Sequence, residues 1–166
     1  MIYRLIATLA LLATSMSAVC DDNMDRALAI LEAAPVVDGH NDLPWVIRES
    51  FGGDVENYDI SVYAQFDTDI PRLREGRVGT QFWSVYVPSS MTDIEAVQVQ
   101  LEQIDIAHRI ISRYPDDLSL ALTVEDIETA KQEGRIASLL GMEGGHTILN
   151  SLGALRSYYD MGVRYM

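Results

Sequence analysis

A chain of 166 residues with 48% apolar content is long enough for one ordinary core and shows neither the low hydrophobicity of a disordered segment nor a repeat array. Its 12 basic residues face 25 acidic ones, a formal charge of -13, which argues against nucleic acid and anionic membrane surfaces as partners. One cysteine, Cys20, leaves no internal disulfide, so packing alone must hold the fold.

In chain order, Arg4, the apolar run of residues 5–13 and then Thr14, Ser15, Ser17 and Ala18 form the positive start, short greasy stretch and small-residue exit of a secretory signal. That run is far shorter than the ~20 residues a membrane-spanning helix needs. Residues 1–20 are therefore expected to be a signal peptide, and the remainder, 21–166, to be exported to the periplasm or secreted. Ser17-Ala18-Val19-Cys20 also resembles, loosely, a lipoprotein site, and a lipid anchor on Cys20 is the one membrane attachment to be expected.

Four apolar runs bounded by turn signals are strand candidates: residues 36–40, 78–87, 136–143 and 163–166. Helical patterns lie between them. Residues 93–113 set Ile94, Val97, Leu101, Ile104, His108 and Ile111 at spacings of three and four, with Asp93 as N-cap and Pro115 just past the end. Thr123 opens a second helix in a capping pattern, with Asp126 where Glu or Gln is more usual. Asn150 or Ser151 opens a third, running to about Met161.

Glu75-Gly76-Arg77-Val78 and Glu133-Gly134-Arg135-Ile136 both read as a last helical turn, a glycine in the left-handed cap and an immediate strand, and Asp160-Met161-Gly162-Val163 repeats the pattern. Helix, glycine, strand, three times over, is how a parallel α/β sheet is threaded. The nearly continuous apolar strands suit burial on both faces. The sheet can close as an open doubly wound layer or as a (βα)8 barrel. No glycine-rich phosphate turn follows the first strand, and the polar candidates sit at the C-terminal ends of strands, where barrel enzymes keep their chemistry; both favour the barrel.

The run Val36-Val37-Asp38-Gly39-His40-Asn41-Asp42 reads as a buried strand whose alternation places His40 and Asp42 on one face. Neutral imidazole and carboxylate are ordinary zinc ligands, and a site open to chemistry adds ligands from elsewhere and a bound water. The bland alternative is a capping Asp42 beside a solvated His40. Asp38 points the other way and is read as a structural hydrogen-bonder. Glu143 ends a hydrophobic strand ahead of Gly144 and Gly145, which would let backbone approach a ligand, and a glutamate can span two metal ions. Its bland alternative is to accept hydrogen bonds from the following turn. His146 stays outside the ligand set as a spacer, and His108 is read as a packed or half-exposed helix residue. Trp45, Trp83 and Tyr86 are read chiefly as core that could also wall a pocket.

Three separated motifs carry a family likeness. Asp38-Gly39-His40-Asn41-Asp42-Leu43-Pro44, the run from Asp69-Ile70-Pro71-Arg72-Leu73 to Gln81-Phe82-Trp83-Ser84-Val85-Tyr86, and Gly141-Met142-Glu143-Gly144-Gly145-His146 stand in that order. With Leu152-Gly153-Ala154-Leu155-Arg156 and Gly162-Val163-Arg164-Tyr165 they resemble the renal (membrane) dipeptidase family of zinc peptidases, from about Pro35 onward. The resemblance implies a (βα)8 metal-hydrolase barrel with two zinc ions, His40 and Asp42 on one and Glu143 bridging both. It implies hydrolysis of dipeptides, including those with a C-terminal D-residue, by a hydroxide held between the ions, and Glu143 as the catalytic carboxylate.

Members of that family are about twice this length or more, and their second pair of zinc histidines comes from later strands. Residues 21–166 are therefore expected to be the first half of such a barrel, inactive alone and prone to associate, with a homodimer as one outcome. Two other readings remain: a related metal-dependent amide hydrolase with a different substrate, and a non-catalytic binding scaffold.

Overall fold

The computed structural model describes residues 22–166, so the signal peptide expected over residues 1–20, with Cys20, lies outside the described residues. The described residues divide into two units, 22–35 and Val36–Met166. In the first, residues 22–33 form a helix, α1, which the sequence patterns did not single out. Everything bearing on function lies in the second.

That unit runs β1 (Val36–Asn41), α2 (Leu43–Phe51), α3 (Ile70–Glu75), β2 (Val78–Ser84), α4 (Asp93–Arg113), β3 (Leu118–Leu120), α5 (Val124–Gln132), β4 (Ile136–Gly141), α6 (Leu152–Asp160) and β5 (Val163–Tyr165). All pairings are parallel. β2 lies between β1 and β4. The far edge of β4 is shared: β3 pairs along its start, from Leu118 opposite Ile136, and β5 along its end, with Leu140 opposite Val163. β1, β2, β4 and β5 are thus successive staves, and the three-residue β3 is an accessory too short to announce itself in the sequence.

Local chemistry sets the element ends. Thr123 and Asp126 form a full capping box, each side chain taking the other's backbone N–H, and Ser151 caps α6 by accepting from the Ala154 amide. The helix-glycine-strand reading holds at Gly134 and Gly162, both at positive φ. At the first site it does not. Gly76 has φ -73 and Arg77, at φ 54, makes the left-handed turn instead. The Gly76 amide bonds back to the Arg72 carbonyl, so the turn falls one residue later.

The 93–113 helix forms over the expected residues, but its N-cap is Thr92 and not Asp93, and its buried stripe is rotated from the expected one. Ile94 is 75% and Leu101 43% exposed, whereas Ala96, Val99, Gln100, Gln103 and Ala107 face inward. Two glutamines on the inner face displaced the apparent apolar stripe. β4 is buried along its whole length, and β2 is a mixture of buried and half-buried residues. β1 is not buried as expected: Val37 is 64% exposed, because β1 has a neighbour on one side only. The main core joins Leu43 and Ile47 of α2, Trp83 and Val85, the inner face of α4, and Leu140 and Met142. Each such side chain contributes about 2 kcal/mol of burial. Trp83 is core, while Trp45 packs edge-on against Tyr86 at 5.1 Å.

Candidate metal centre

Simple strand alternation is not what joins His40 to Asp42. Asp38 lies opposite Gln81 and Asn41 opposite Trp83, three steps on β1 against two on β2, so a bulge falls at Gly39 and His40. A bulge re-aims side chains, and here the Asp38 carboxylate accepts from the His40 amide at 3.1 Å, the structural role expected of it. Asp42 sits past the strand in the bridge region, φ -86 and ψ 19, at the start of α2. Its side chain makes no capping bond. Asn41 accepts from the Leu43 amide instead, and also exchanges hydrogen bonds with the Thr68 hydroxyl at 3.0 and 3.2 Å. The Asp42 carboxylate is left free to face the imidazole, with His40 Nε2 3.1 Å from Asp42 Oδ1.

Glu143 arrives from beyond β4. The β2–β4 ladder continues past both strands, Val85 N–H donating to Gly141 O and Val87 N–H to Glu143 O. That extension brings Glu143 Oε2 to 3.3 Å from His40 Nε2. The turn after it is held from behind. Thr147 is fully buried with its hydroxyl 3.0 Å from Gln100 Oε1, Gln100 donates to Val85 O, and the Tyr158 hydroxyl donates to Thr147 O. Sequence reasoning missed this trio. The signal was there in Gln100, one turn from Ala96 and one from Ile104 on the helix face.

Ligand atoms of His40, Asp42 and Glu143 all lie within 4.8 Å of one another, the one such group among the described residues. Two atoms each ~2.1 Å from a tetrahedral ion stand roughly 3.4 Å apart, so the 3.1 and 3.3 Å separations suit a shared divalent cation. The side chains are about half exposed, at 45%, 51% and 50%, and thus accessible. His146 is not in the group. Its ring lies beside Gly144, where an added Cβ would fall 2.9 Å from Cε1, and its buried Nε2 has no partner. His108 packs as expected, Nε2 2.7 Å from Met161 O.

Beside the three ligand candidates a cleft of about 250 Å³ is lined by His40, Asn41, Asp42, Leu43, Val46, Phe66, Asp67 and Thr68. Its far wall is pinned by Asp69, fully buried, which accepts from the amides of Ala64 and Arg72 and pairs with the Arg72 guanidinium at 2.6 Å. Across the sheet, burial raises the Tyr165 phenol above its ordinary pKa, and the carboxylates of Glu143, Asp42 and Asp38 raise it further.

Known proteins share both the sequence and this architecture. Residues 24–166 match the family model Peptidase_M19, membrane dipeptidase (peptidase family M19). Rat Dipeptidase 3 is 42% identical over 142 residues, 86% of this chain and 28% of the rat protein. Dipeptidase verJ of Clonostachys rogersoniana is 42% identical over 162 residues, 92% of this chain and 42% of its own length. The chain therefore spans between a quarter and a half of these relatives. Among solved structures, a metallopeptidase of family M19, dipeptidase AC, superposes with TM-score 0.59 at 25% identity over 78% of this chain and 41% of its own. The probable dipeptidase PvdM from Pseudomonas aeruginosa gives TM-score 0.67 at 16% identity, over 84% of this chain and 36% of its own. The parallel sheet is thus the curled half-barrel expected from the sequence, matching part of each of these larger folds. By sequence over nearly all of its described length and by fold, this chain belongs to the membrane dipeptidase family, peptidase family M19.

Proposed function

We propose that this chain contributes the first metal-ligating half of an exported, zinc-dependent dipeptidase. One observation carries the reading: an imidazole and two carboxylates from two non-adjacent strands converge on one accessible spot at the C-terminal end of a parallel sheet. In it His40 and Asp42 would hold one cation, and Glu143 would serve both that cation and a second. Bound divalent ions would supply Lewis acidity and an activated water. His40 and Asp42 are oriented by the bulge and by Asn41, and Glu143 by the extended β2–β4 ladder.

The cleft is smaller than a drug-sized pocket and combines Leu43, Val46 and Phe66 with polar Asp67 and Thr68, which suits a short, polar-ended substrate. Dipeptides fit that description. A related metallopeptidase from Rhodobacter sphaeroides was solved with a phosphinate mimic of the dipeptide L-Ala-D-Ala, which supports extending the proposal to a C-terminal D-residue. Two histidines from outside these 166 residues complete the second ion in this reading, so the 166-residue chain alone is inactive. Export rests on the leader-like segment of residues 1–20.

Metal counting tests the centre. The parent chain is expected to take up zinc, and Glu143→Ala to lose affinity by at least about 100-fold. Equal zinc content in both proteins favours the non-catalytic scaffold. Hydrolysis of Ala-D-Ala by the 166-residue chain at the rate of a full-length relative refutes the inactivity.

A further inference from the structure

β1 and β4 do not pair, because β2 lies between them, yet His40 from the first and Glu143 from beyond the second meet at 3.3 Å. A ligand on an exposed edge strand, at a bulge, has few neighbours to fix it to the width of a hydrogen bond. Tyr165 supplies a link. From β5 its side chain passes over β4 at Gly141, where an added Cβ would fall 2.1 Å from the ring Cζ and 2.3 Å from the hydroxyl. It then packs by Phe82 of β2, ring centroids 5.1 Å apart. Its hydroxyl ends 2.7 Å from the Gly39 carbonyl of β1, to which it donates. One side chain thus spans all four staves, and its far end grips the bulge residue next to His40.

Resting on the metal-centre reading above, we propose that Tyr165 is a positioning residue for that centre: its hydroxyl, carried across the side-chain-free Gly141, holds the Gly39 carbonyl and so sets His40 against Glu143. Three facts make this more than packing. The hydroxyl bonds backbone at the point where β1 leaves register, so losing it frees the segment that carries a ligand. The path exists only because residue 141 has no side chain. And the other flank of the same tip is tied separately, through Asn41 and Thr68, so that Tyr165 is the restraint facing Glu143.

Cobalt(II) is the probe, since its visible spectrum reports ligand geometry directly. Titrated into the 166-residue chain at millimolar concentration, it is expected to give a ligand-field band more intense than that of the aqueous ion. Tyr165→Phe keeps the ring and removes the hydroxyl; it is expected to weaken cobalt binding about 10- to 100-fold and to shift the band, the effect typical of losing a group that orients a ligand. Gly141→Ala displaces the ring and is expected to do the same, while adding little in the Tyr165→Phe background. Unchanged affinity and band shape in Tyr165→Phe, whether or not its thermal midpoint falls, overturns the positioning role and leaves the metal centre standing. Fully additive losses in the double variant also overturn it. A parent chain that leaves the spectrum of the aqueous ion unchanged overturns the metal-centre reading itself, and this inference with it.

Discussion

At the residue scale, the site depends on which polar groups are satisfied and by whom. Asn41 takes the capping duty that Asp42 would otherwise perform, and Asp42 is released to the imidazole. Asp69 plays the opposite part, with its carboxylate consumed internally. Burial pushes its pKa up, but the Arg72 guanidinium and the amides of Ala64 and Arg72 outweigh that and hold it below the ordinary value of 3.8. A carboxyl that titrates lower when folded contributes stability fully above its unfolded pKa, and the contribution fades as pH falls through the folded value. Asp69→Asn is therefore expected to cost about 2 kcal/mol at neutral pH, with the gap to the parent narrowing in acid. Thermal melts of both proteins between pH 6 and pH 2 check this, and a constant gap contradicts it. The ligand types themselves were legible in the sequence; that Thr68 would hold Asn41, and Gln100 hold Thr147, was not, because each of these bonds joins a residue to a partner that only folding brings near.

At the element scale, most of the local patterns succeeded, the cap at Gly76 being an exception, since Arg77 makes the left-handed turn there. The Thr123 capping box, the Ser151 cap and the positive-φ turns at Gly134 and Gly162 involve atoms within four residues. Thr123→Ala is expected to cost about 1 kcal/mol, and Gly134→Ala, at φ 70, about as much, both measured by urea denaturation. If either variant matches the parent, that cap is not what ends its element. Patterns failed where burial is decided by neighbours. The α4 stripe turned because Gln100 and Gln103 are buried, and periodicity alone counts a glutamine as polar and outward. β3 escaped notice because three residues joined to the start of β4 carry no period.

At the scale of the whole molecule, four successive parallel staves form a curled sheet with two open margins. Among the described residues β1 pairs with β2 alone and β5 with β4 alone. Next to β5, a groove of about 510 Å³ lined by Met142, Leu155, Tyr158, Val163 and Met166 is mostly apolar. Unpaired strand edges and uncovered apolar surface recruit partners. The isolated 166-residue chain is expected to elute as an assembly larger than one copy when chromatography is coupled to light scattering. A monomer across a wide concentration range contradicts that expectation.

The amino-acid sequence by itself determined the α/β threading, the main strands, the caps that separate them, the family likeness and the identity of His40, Asp42 and Glu143 as candidate ligands. Each of these follows from short-range chemistry or from motif order. Tertiary structure alone decided that a bulge and not alternation aims His40, that β1 is an exposed margin, and that Tyr165 reaches across Gly141 to the far strand. These depend on register between strands about forty positions apart and, for Tyr165, on a contact across 126 positions, and such contacts leave no period, spacing or composition for a linear reading to find.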